Sequence, residues 1–348
     1  MSAYELLFRP LLFRLPPERA QALADWSLKR GWLCALASPY FNYQDTRLHV
    51  ASGGLVYPSP VGLAAGYDKD CEFLGSLLDL GFGFVVGGTV LPQAKQGNPR
   101  PRLLRLPSQR SLINSLGFPG KGSVAARARL ERMRRRVRWL SKPVVVSVAS
   151  LTLGEFRDCH STLEPVADAI ELNVSSPNTQ GIRIFQEADM FAQLLEAINS
   201  QRTKPIFVKF PPYSDDQGRD RVLALVRIAR EKGVEGLTTS NTRAVKAPEL
   251  AVGQGGLSGQ ALLEDTVRTV AEVRAEAGPS MSISACGGIS TAEDTLRVLR
   301  AGANTVQLLT GLVYRGPGIA RSINLGLVRY MKDRGIASLK DLVQAGDS

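Results

Sequence analysis

The sequence predicts a (β/α)8 barrel that carries a small amino-terminal helical extension. From about residue 55 onward, short apolar strands alternate with amphipathic helices, and roughly eight such units follow one another, as this barrel requires. A doubly wound sheet is the alternative, and the lack of a G-x-G-x-x-G fingerprint after the first strand counts weakly against it. We therefore expect residues 1–40 to form a helical hairpin and residues 41–340 to form the barrel.

The amino-terminal extension contains two helical patterns. Residues 4–15 are very apolar and are interrupted by Pro10. Residues 18–33 form the second pattern, whose apolar face includes Trp26 and Trp32. Large apolar groups beside arginines suit a membrane interface, and they suit equally well a hairpin that packs on the main domain. Both interpretations stay open at this point.

The barrel strands and helices follow from the alternation of apolar runs and amphipathic segments. The strands are predicted to end at Gly66, Thr89, Ala149, Asn173, Phe210, Ser240, Ala285 and Leu309. The helical patterns between them cover residues 72–80, 187–200, 219–232, 262–275 and 292–301. In such a barrel the carboxyl ends of all the strands face one common site.

Polar side chains gather at these strand ends. The fourth strand leads directly into Asn173-Val-Ser-Ser-Pro-Asn-Thr179. An asparagine side chain offers a donor and an acceptor, which suits a planar ligand with alternating N–H and C=O groups, although a single asparagine is usually a turn residue. Convergence at the barrel mouth predicts a site for a small, planar, anionic, amide-bearing molecule. Its members are Lys69, Asn114, Asn173, Asn178 and Asn241.

The last third of the chain predicts a second kind of site. Gly255-Gly-Leu-Ser-Gly259 is expected to be a flexible loop before a helix, and glycine pairs or single glycines follow strands seven and eight. Backbone amides at these positions are the usual phosphate seat of this barrel. Lys209 lies within an apolar strand, so it is expected to face inward. A phosphorylated cofactor should therefore lie across the barrel mouth.

Composition narrows the chemistry. His49 and His160 are the only histidines, so a histidine-based triad or metal site is not expected. The four cysteines lack metal-type spacing and suit buried free thiols. The formal net charge is +11, and many arginines lie in residues 127–138, either as a solvated helix face or as a patch for nucleic acid or anionic lipid. We expect no secretion signal and no bilayer-spanning segment.

Five motifs, in order along nearly the whole chain, resemble those of dihydroorotate dehydrogenase, the flavin enzyme of pyrimidine synthesis. They are Gly62-Leu-Ala-Ala-Gly-Tyr-Asp-Lys69, Gly97-Asn-Pro-Arg-Pro-Arg-Leu-Leu-Arg105, Asn173-Val-Ser-Ser-Pro-Asn-Thr179, Gly255-Gly-Leu-Ser-Gly259 and Gly302-Ala-Asn-Thr-Val-Gln307. The helical extension, and a serine where the soluble classes carry cysteine, resemble the membrane-associated, quinone-linked class 2 enzymes. Single motifs are weak, but the combination is specific.

The resemblance implies oxidation of dihydroorotate to orotate, with FMN as cofactor and a membrane quinone as electron acceptor. It makes Ser176 the general base, assisted by Thr179 and Phe118. The implied orotate contacts are Lys69, Asn114, Asn173, Asn178, Asn241 and Thr242. The implied FMN contacts are Ala64, Ala65, Gly66, Lys69, Thr89, Ser147, Asn173, Lys209, Ser240 and Leu309, with the phosphate on Ser258, Gly259, Gly287, Gly288 and Thr310. Arg105 matches an arginine of the quinone tunnel.

The resemblance also implies a peripheral location on the cytoplasmic face of the cell membrane, with no nucleic acid as partner. Four residues depart from the family pattern. Ser147 stands where an asparagine is usual, Leu116 and Leu309 where aromatic rings are common, and Arg243 where a small hydroxyl residue is usual. These departures concern the flavin surroundings more than the orotate contacts.

Two other functions remain alternatives at this point. The departures suit a divergent FMN oxidoreductase of the same fold that acts on another cyclic amide or an enone. The arginine segment suits a non-catalytic protein that binds anionic surfaces. The first alternative predicts bound FMN without a response to orotate, and the second predicts salt-sensitive binding and no yellow chromophore.

Overall fold

A computed structural model describes residues 2–136, 139, 141–176 and 181–344. Its strands are β1 (Val50–Ser52), β2 (Leu55–Tyr57), β3 (Val61–Leu63), β4 (Phe84–Val90), β5 (Leu103–Leu106), β6 (Ser111–Asn114), β7 (Val144–Val148), β8 (Ala169–Asn173), β9 (Ile206–Lys209), β10 (Gly236–Thr239), β11 (Arg243–Lys246), β12 (Gln254–Gly259), β13 (Ser282–Cys286) and β14 (Thr305–Leu308).

The α-helices are α1 (Arg9–Arg14), α2 (Pro17–Leu28), α3 (Gly31–Phe41), α4 (Leu74–Asp79), α5 (Ser123–Arg134), α6 (Leu153–Leu163), α7 (Ala188–Asn199), α8 (Asp216–Glu231), α9 (Leu263–Ala277), α10 (Ala292–Arg300), α11 (Thr310–Arg315), α12 (Ile319–Asp333) and α13 (Leu339–Gln344). A π-helical turn, Tyr4–Phe8, precedes α1.

Eight parallel strands close into a barrel in the order β3-β4-β7-β8-β9-β10-β13-β14. The predicted (β/α)8 barrel is confirmed, and each predicted strand end lies within three residues of the observed end. The strands are nearly continuous apolar runs because their outer faces pack against the surrounding helices. The carboxyl ends therefore meet at one mouth, as the site prediction required.

The barrel interior is apolar at the amino-terminal end of the strands. Phe84, Val145, Ala169 and Phe207 pack there against Tyr57, which the β1–β2 hairpin supplies. The rings of Tyr57 and Phe84 meet edge to face with centroids 4.9 Å apart. This plug closes one end of the barrel and leaves the other end for the site.

A four-stranded antiparallel sheet in the order β11-β12-β6-β5 lies outside the barrel. The prediction of a flexible loop at residues 255–259 is wrong, because β12 pairs with β11 on one side and β6 on the other. Its glycines serve close packing rather than flexibility. A Cβ on Gly256 would lie 2.0 Å from the hydroxyl oxygen of Thr242, and one on Gly255 would lie 2.8 Å from the carbonyl oxygen of Asn114.

The amino-terminal extension consists of the π-helical turn and helices α1–α3. The single helix predicted over residues 18–33 is wrong, because Arg30 leaves the helical conformation at φ −89° and ψ 66° and Gly31 begins a new helix. Arg105 on β5 joins the extension to the antiparallel sheet outside the barrel, because its guanidinium donates to the Leu15 carbonyl at 2.7 Å. Arg102 pairs with Glu18 at 2.9 Å.

The extension presents an exposed apolar surface, which we call the helical apolar face. Its members are Leu6, Leu7, Phe8, Leu11, Leu15, Leu23, Trp26, Trp32, Leu36 and Tyr40, each at least 38% exposed. Monomeric proteins rarely leave so many large apolar side chains together in water. Within the described ranges, no helix combines the length and the apolar character needed to cross a membrane.

Helix α5 carries much of the arginine segment. Arg134 pairs with Asp168 at 2.7 Å, Arg127 with Glu131 at 2.9 Å, and Arg129 with Asp70 at 3.5 Å. Residues 137, 138 and 140 lie outside the described residues. Several of these arginines therefore have acidic partners within the protein.

Candidate active site

A cavity of about 1040 Å³ lies at the carboxyl ends of the barrel strands and continues between the amino-terminal helices. It is large enough for a cofactor together with a small substrate. Of the residues predicted for the site, the following line this cavity: Ala64, Ala65, Gly66, Lys69, Thr89, Arg105, Asn114, Phe118, Asn173, Ser176, Lys209, Ser240, Asn241, Thr242, Ser258, Gly259, Gly287, Gly288, Leu309 and Thr310.

A hydrogen-bonded chain fixes the amides on the β8 side. The side chain of Asn241 donates to the Ser175 hydroxyl at 2.9 Å, and that hydroxyl donates to the side-chain oxygen Oδ1 of Asn173 at 2.8 Å. The Asn173 amide nitrogen then donates to the Thr89 hydroxyl at 2.9 Å. Because Asn173 is only 4% exposed, these bonds settle which way its amide points.

Asn114 and Lys69 approach the cavity from other elements. Asn114 ends β6, and its amide nitrogen donates to the Gly256 carbonyl at 3.3 Å. Lys69 follows β3, and its ammonium donates to the carbonyl of Gly66. Burial lowers the pKa of Lys69 to about 8, although Asp25 on α2 acts in the opposite direction. Lys69, the cation predicted from the sequence, thus lies at the barrel mouth together with the asparagine side chains.

Ser176 and Phe118 also border the cavity. Ser176 is the next residue in sequence after Ser175, the middle member of the hydrogen-bonded chain, and it is 5% exposed. Phe118 has a positive φ of 54°, a conformation that bulky residues rarely adopt. Asn178 and Thr179, which the sequence also predicts here, lie outside the described residues.

Lys209 is a buried ammonium on the cavity wall, with 5% of its surface exposed. Burial alone would lower the pKa of Lys209, but Cys286 and Glu171 outweigh burial and leave that pKa above its ordinary value. Among the described residues, its ammonium contacts the Cys286 thiol, at 3.8 Å between nitrogen and sulfur. An ammonium has three donors, so this lysine can still serve a ligand with acceptor groups.

Hydroxyl and glycine residues form the far end of the cavity. The hydroxyls of Ser258 and Thr310 lie 2.9 Å apart. Gly288 has a φ of 76°, and a Cβ there would lie 2.5 Å from the backbone nitrogen of Leu263, so only glycine fits. Hydroxyls beside exposed backbone amides are a common setting for a phosphate group.

The structure keeps some predicted residues away from the cavity. Ser147 is fully buried behind Thr89, and their hydroxyl oxygens lie 3.0 Å apart. Arg243 pairs with Asp265 at 2.8 Å.

Leu116 and Leu309, by contrast, both line the cavity, so the absence of aromatic rings there widens it.

Sequence reasoning missed three residues near the site. Cys286 was treated only as a buried thiol, yet it contacts Lys209. Asp25 belongs to the extension, and no pattern in the sequence connects it with Lys69. Glu171 interrupts an otherwise apolar strand, and that interruption was the signal that could have identified it.

The apolar arm of the cavity runs between the amino-terminal helices. Phe13, Leu28 and Phe41 line it together with Arg105, whose guanidinium carbon lies 4.5 Å from the centre of the Phe13 ring. A long apolar ligand with a polar head suits this arm.

Comparisons with known proteins agree with this geometry. A family model described as "Dihydroorotate dehydrogenase" matches residues 47–331. Two relatives named "Dihydroorotate dehydrogenase (quinone)" come from Chelativorans sp. and Thermus thermophilus. The first is 37% identical and aligns with 98% of this chain and 96% of its own length; the second is 38% identical, with 96% and 99% covered. A solved structure of DHODH with ferulenol from Eimeria tenella superposes with a TM-score of 0.83 at 30% identity and covers 94% of each chain.

Proposed function

The chain belongs to the dihydroorotate dehydrogenase family, and we infer that it oxidises dihydroorotate to orotate with FMN as cofactor and a quinone as electron acceptor. The supporting observation is the convergence of Lys69 and three amides on a cavity that also contains a buried lysine and a hydroxyl-lined glycine turn. These groups suit, respectively, a planar anion, a flavin ring and a phosphate.

The residues present fit FMN. Among the described residues, Lys209 donates only to the Cys286 thiol, so it has donors for the carbonyl oxygens of the flavin ring. The Ser258 and Thr310 hydroxyls suit the phosphate, together with Gly259, Gly287 and Gly288. Ala64, Ala65, Gly66, Lys69, Thr89, Asn173, Ser240 and Leu309 complete the set proposed to hold the cofactor, and Ser147 supports it from behind Thr89. When bound, FMN supplies the two-electron acceptor for the hydride that leaves C6 of dihydroorotate.

Charge and amide geometry support the substrate contacts. Lys69 neutralises the carboxylate of the substrate, while Asn114, Asn173 and Asn241 bond to its ring N–H and C=O groups. Thr242 and Asn178 are proposed to complete this set. The chain from Asn241 through Ser175 to Asn173 orients the amides before the substrate arrives.

Ser176 is the proposed general base, which accepts the proton from C5 while the C5=C6 double bond forms. A serine hydroxyl is a weak base, so the proton must pass onward, and Thr179 and Phe118 are proposed to shape that path. The low exposure of Ser176 supports the role, because bulk water cannot compete at this position.

The apolar arm and the helical apolar face support a role for residues 1–40 in quinone access. Arg105 is proposed to bind the polar head of the quinone, which takes up two electrons and two protons as a quinol. The exposed tryptophans favour peripheral attachment to a membrane surface. The cytoplasmic face of the cell membrane is proposed from the family resemblance alone. Residues 41–340 are proposed as the catalytic unit.

The activity is tested with purified protein, dihydroorotate and a short-chain quinone. We expect equal amounts of orotate and quinol, and we expect dihydroorotate alone to bleach the flavin absorbance under anaerobic conditions. A yellow protein whose flavin is not reduced by dihydroorotate contradicts the proposed substrate. A colourless protein contradicts the proposed cofactor.

A further inference from the structure

A fully buried carboxylate lies inside the barrel beneath the site. Glu171 on β8 is 0% exposed. It precedes Asn173 by two residues on the same strand, so both side chains project from the same face, and Asn173 lines the cavity. Glu171 therefore projects into the barrel interior, one layer below the cavity.

Its partners place this carboxylate near the barrel axis. One oxygen, Oε2, accepts a hydrogen bond from the Thr238 hydroxyl on β10 at 2.8 Å, and the Gln307 amide on β14 lies 3.5 Å from the same oxygen. Strands β8, β10 and β14 lie on different sides of the barrel. A side chain from β8 reaches partners on both other strands only by extending toward the centre.

Lys209 is the cation next to this layer. Strand β9 lies between β8 and β10, and the register pairs Lys209 with Asn173 on one side and with Thr238 on the other. Glu171 raises the pKa of Lys209, whereas burial lowers it. The two opposite charges thus lie in adjacent layers of the same enclosed space.

The hydrogen bonds of Glu171 are incomplete. Its second oxygen, Oε1, has no partner among the described residues, and the same holds for the Gln307 carbonyl oxygen. Burying a carboxylate with so few bonds is costly unless a positive charge lies nearby. Lys69 and Asn114 are proposed to bind the substrate, whereas Lys209 lies one layer above Glu171. The negative charge of Glu171 therefore acts mainly on Lys209.

We propose that Glu171 is a positioning residue that sets the redox preference of the bound FMN by opposing the positive charge of Lys209. This inference rests on the proposed function. A reduced flavin carries more negative charge than an oxidised flavin, so a lysine beside it favours the reduced form. A fixed negative charge beneath that lysine weakens this preference and keeps the electrons available for transfer to the quinone.

The test is the midpoint potential of the FMN-loaded holoenzyme with Glu171→Gln, which keeps the shape of the side chain and its bond from Thr238. We expect binding of reduced FMN relative to oxidised FMN to strengthen about tenfold, which raises the midpoint potential by about 30 mV for a two-electron couple. Glu164→Gln is the matched control, because Glu164 is also buried but accepts backbone N–H groups of Thr203 and Lys204. That variant should keep the wild-type potential.

Thr238→Val provides a second variant in case E171Q does not fold. It removes the hydroxyl that donates to Glu171 and thereby favours its ionised form, so part of the negative charge is lost and the potential should rise by a smaller amount. An unchanged or lowered potential in E171Q, or in T238V if only that variant folds, overturns the inference. That outcome does not affect the proposed function, which does not depend on Glu171. An equal shift in E164Q also overturns it. A wild-type protein that binds no FMN overturns the proposed function and this inference together.

Discussion

At the residue scale, the site depends on Lys69, whose pKa lies so close to physiological pH that its positive charge is easily lost. Burial brings the pKa of Lys69 down to about 8. Asp25 opposes this effect from α2, and burial raises the pKa of that carboxyl to about 6. The ammonium that should bind the substrate carboxylate is therefore sensitive to pH near the physiological range.

This leads to a pH dependence of orotate binding. Orotate is an anion and binds the protonated form of Lys69, so its affinity should be constant below about pH 7 and fall by up to about tenfold per pH unit above about pH 8. The measurement is a titration of the flavin absorbance with orotate at a series of pH values. Asp25→Asn removes a negative charge that supports Lys69, so the loss should begin at a lower pH.

An affinity that stays constant to about pH 10 in both proteins contradicts this role for Lys69. Glu235→Gln serves as a control, because Glu235 pairs with Arg202 away from the cavity. That variant should keep the wild-type pH profile.

Ser176 and Ser175 are neighbours with different expected roles. Ser176→Ala removes the proposed base, so the rate of flavin reduction by dihydroorotate should fall by roughly 10² or more, while FMN and orotate affinity stay near normal. Ser175→Ala breaks the chain between Asn241 and Asn173, so it should weaken orotate binding more than it slows reduction. Anaerobic stopped-flow absorbance separates the two effects, and a near-normal reduction rate in S176A removes Ser176 from the role of base.

At the scale of elements, the sequence predicted those that follow from local periodicity. Strands such as β8 and β9 are apolar runs between turn residues, and the barrel helices show a clear amphipathic period. The β12 strand was missed because its glycines resemble a loop, and only its neighbours β6 and β11 make it a strand. The break between α2 and α3 was missed because Lys29 and Arg30 are not helix-breaking residues, and Gly31, a poor helix former directly after the break, was the signal that could have identified it.

The helical apolar face gives a prediction for membrane attachment. Trp26 and Trp32 are 53% and 62% exposed. Replacing both with Gln should weaken binding to anionic lipid vesicles, because each lost ring forfeits about 1–2 kcal/mol of apolar transfer, roughly tenfold in partition. Flavin reduction by dihydroorotate should stay unchanged, since neither residue contacts the proposed substrate side chains.

The measurement for this prediction is vesicle co-sedimentation, with Val124→Gln as the control. Val124 lies on α5 and is 75% exposed, so it is an even more exposed apolar residue outside the helical apolar face. If W26Q/W32Q and V124Q bind vesicles as well as the wild-type protein, the face has only a structural role.

At the scale of the whole molecule, topology made the site predictable. Once eight strand–helix units are recognised, residues far apart in sequence, such as Lys69 and Asn241, must meet at one mouth. The polar layer beneath that mouth could not be foreseen in the same way. Glu171, Thr238 and Gln307 lie on strands that are distant in sequence, and only the closed barrel shows that they meet. Asp25 is similar, because its approach to Lys69 depends on how the extension docks.

The central claim is that Lys69 and the amides of Asn114, Asn173 and Asn241 bind one planar anion next to the flavin. A crystal structure of the protein with FMN and orotate tests it most directly. We expect one orotate in the barrel mouth, its carboxylate on Lys69 and its ring amides on the three asparagines, with Ser176 beside its C5 atom. An orotate bound elsewhere, or one that leaves Lys69 and these asparagines without contact, would contradict the account.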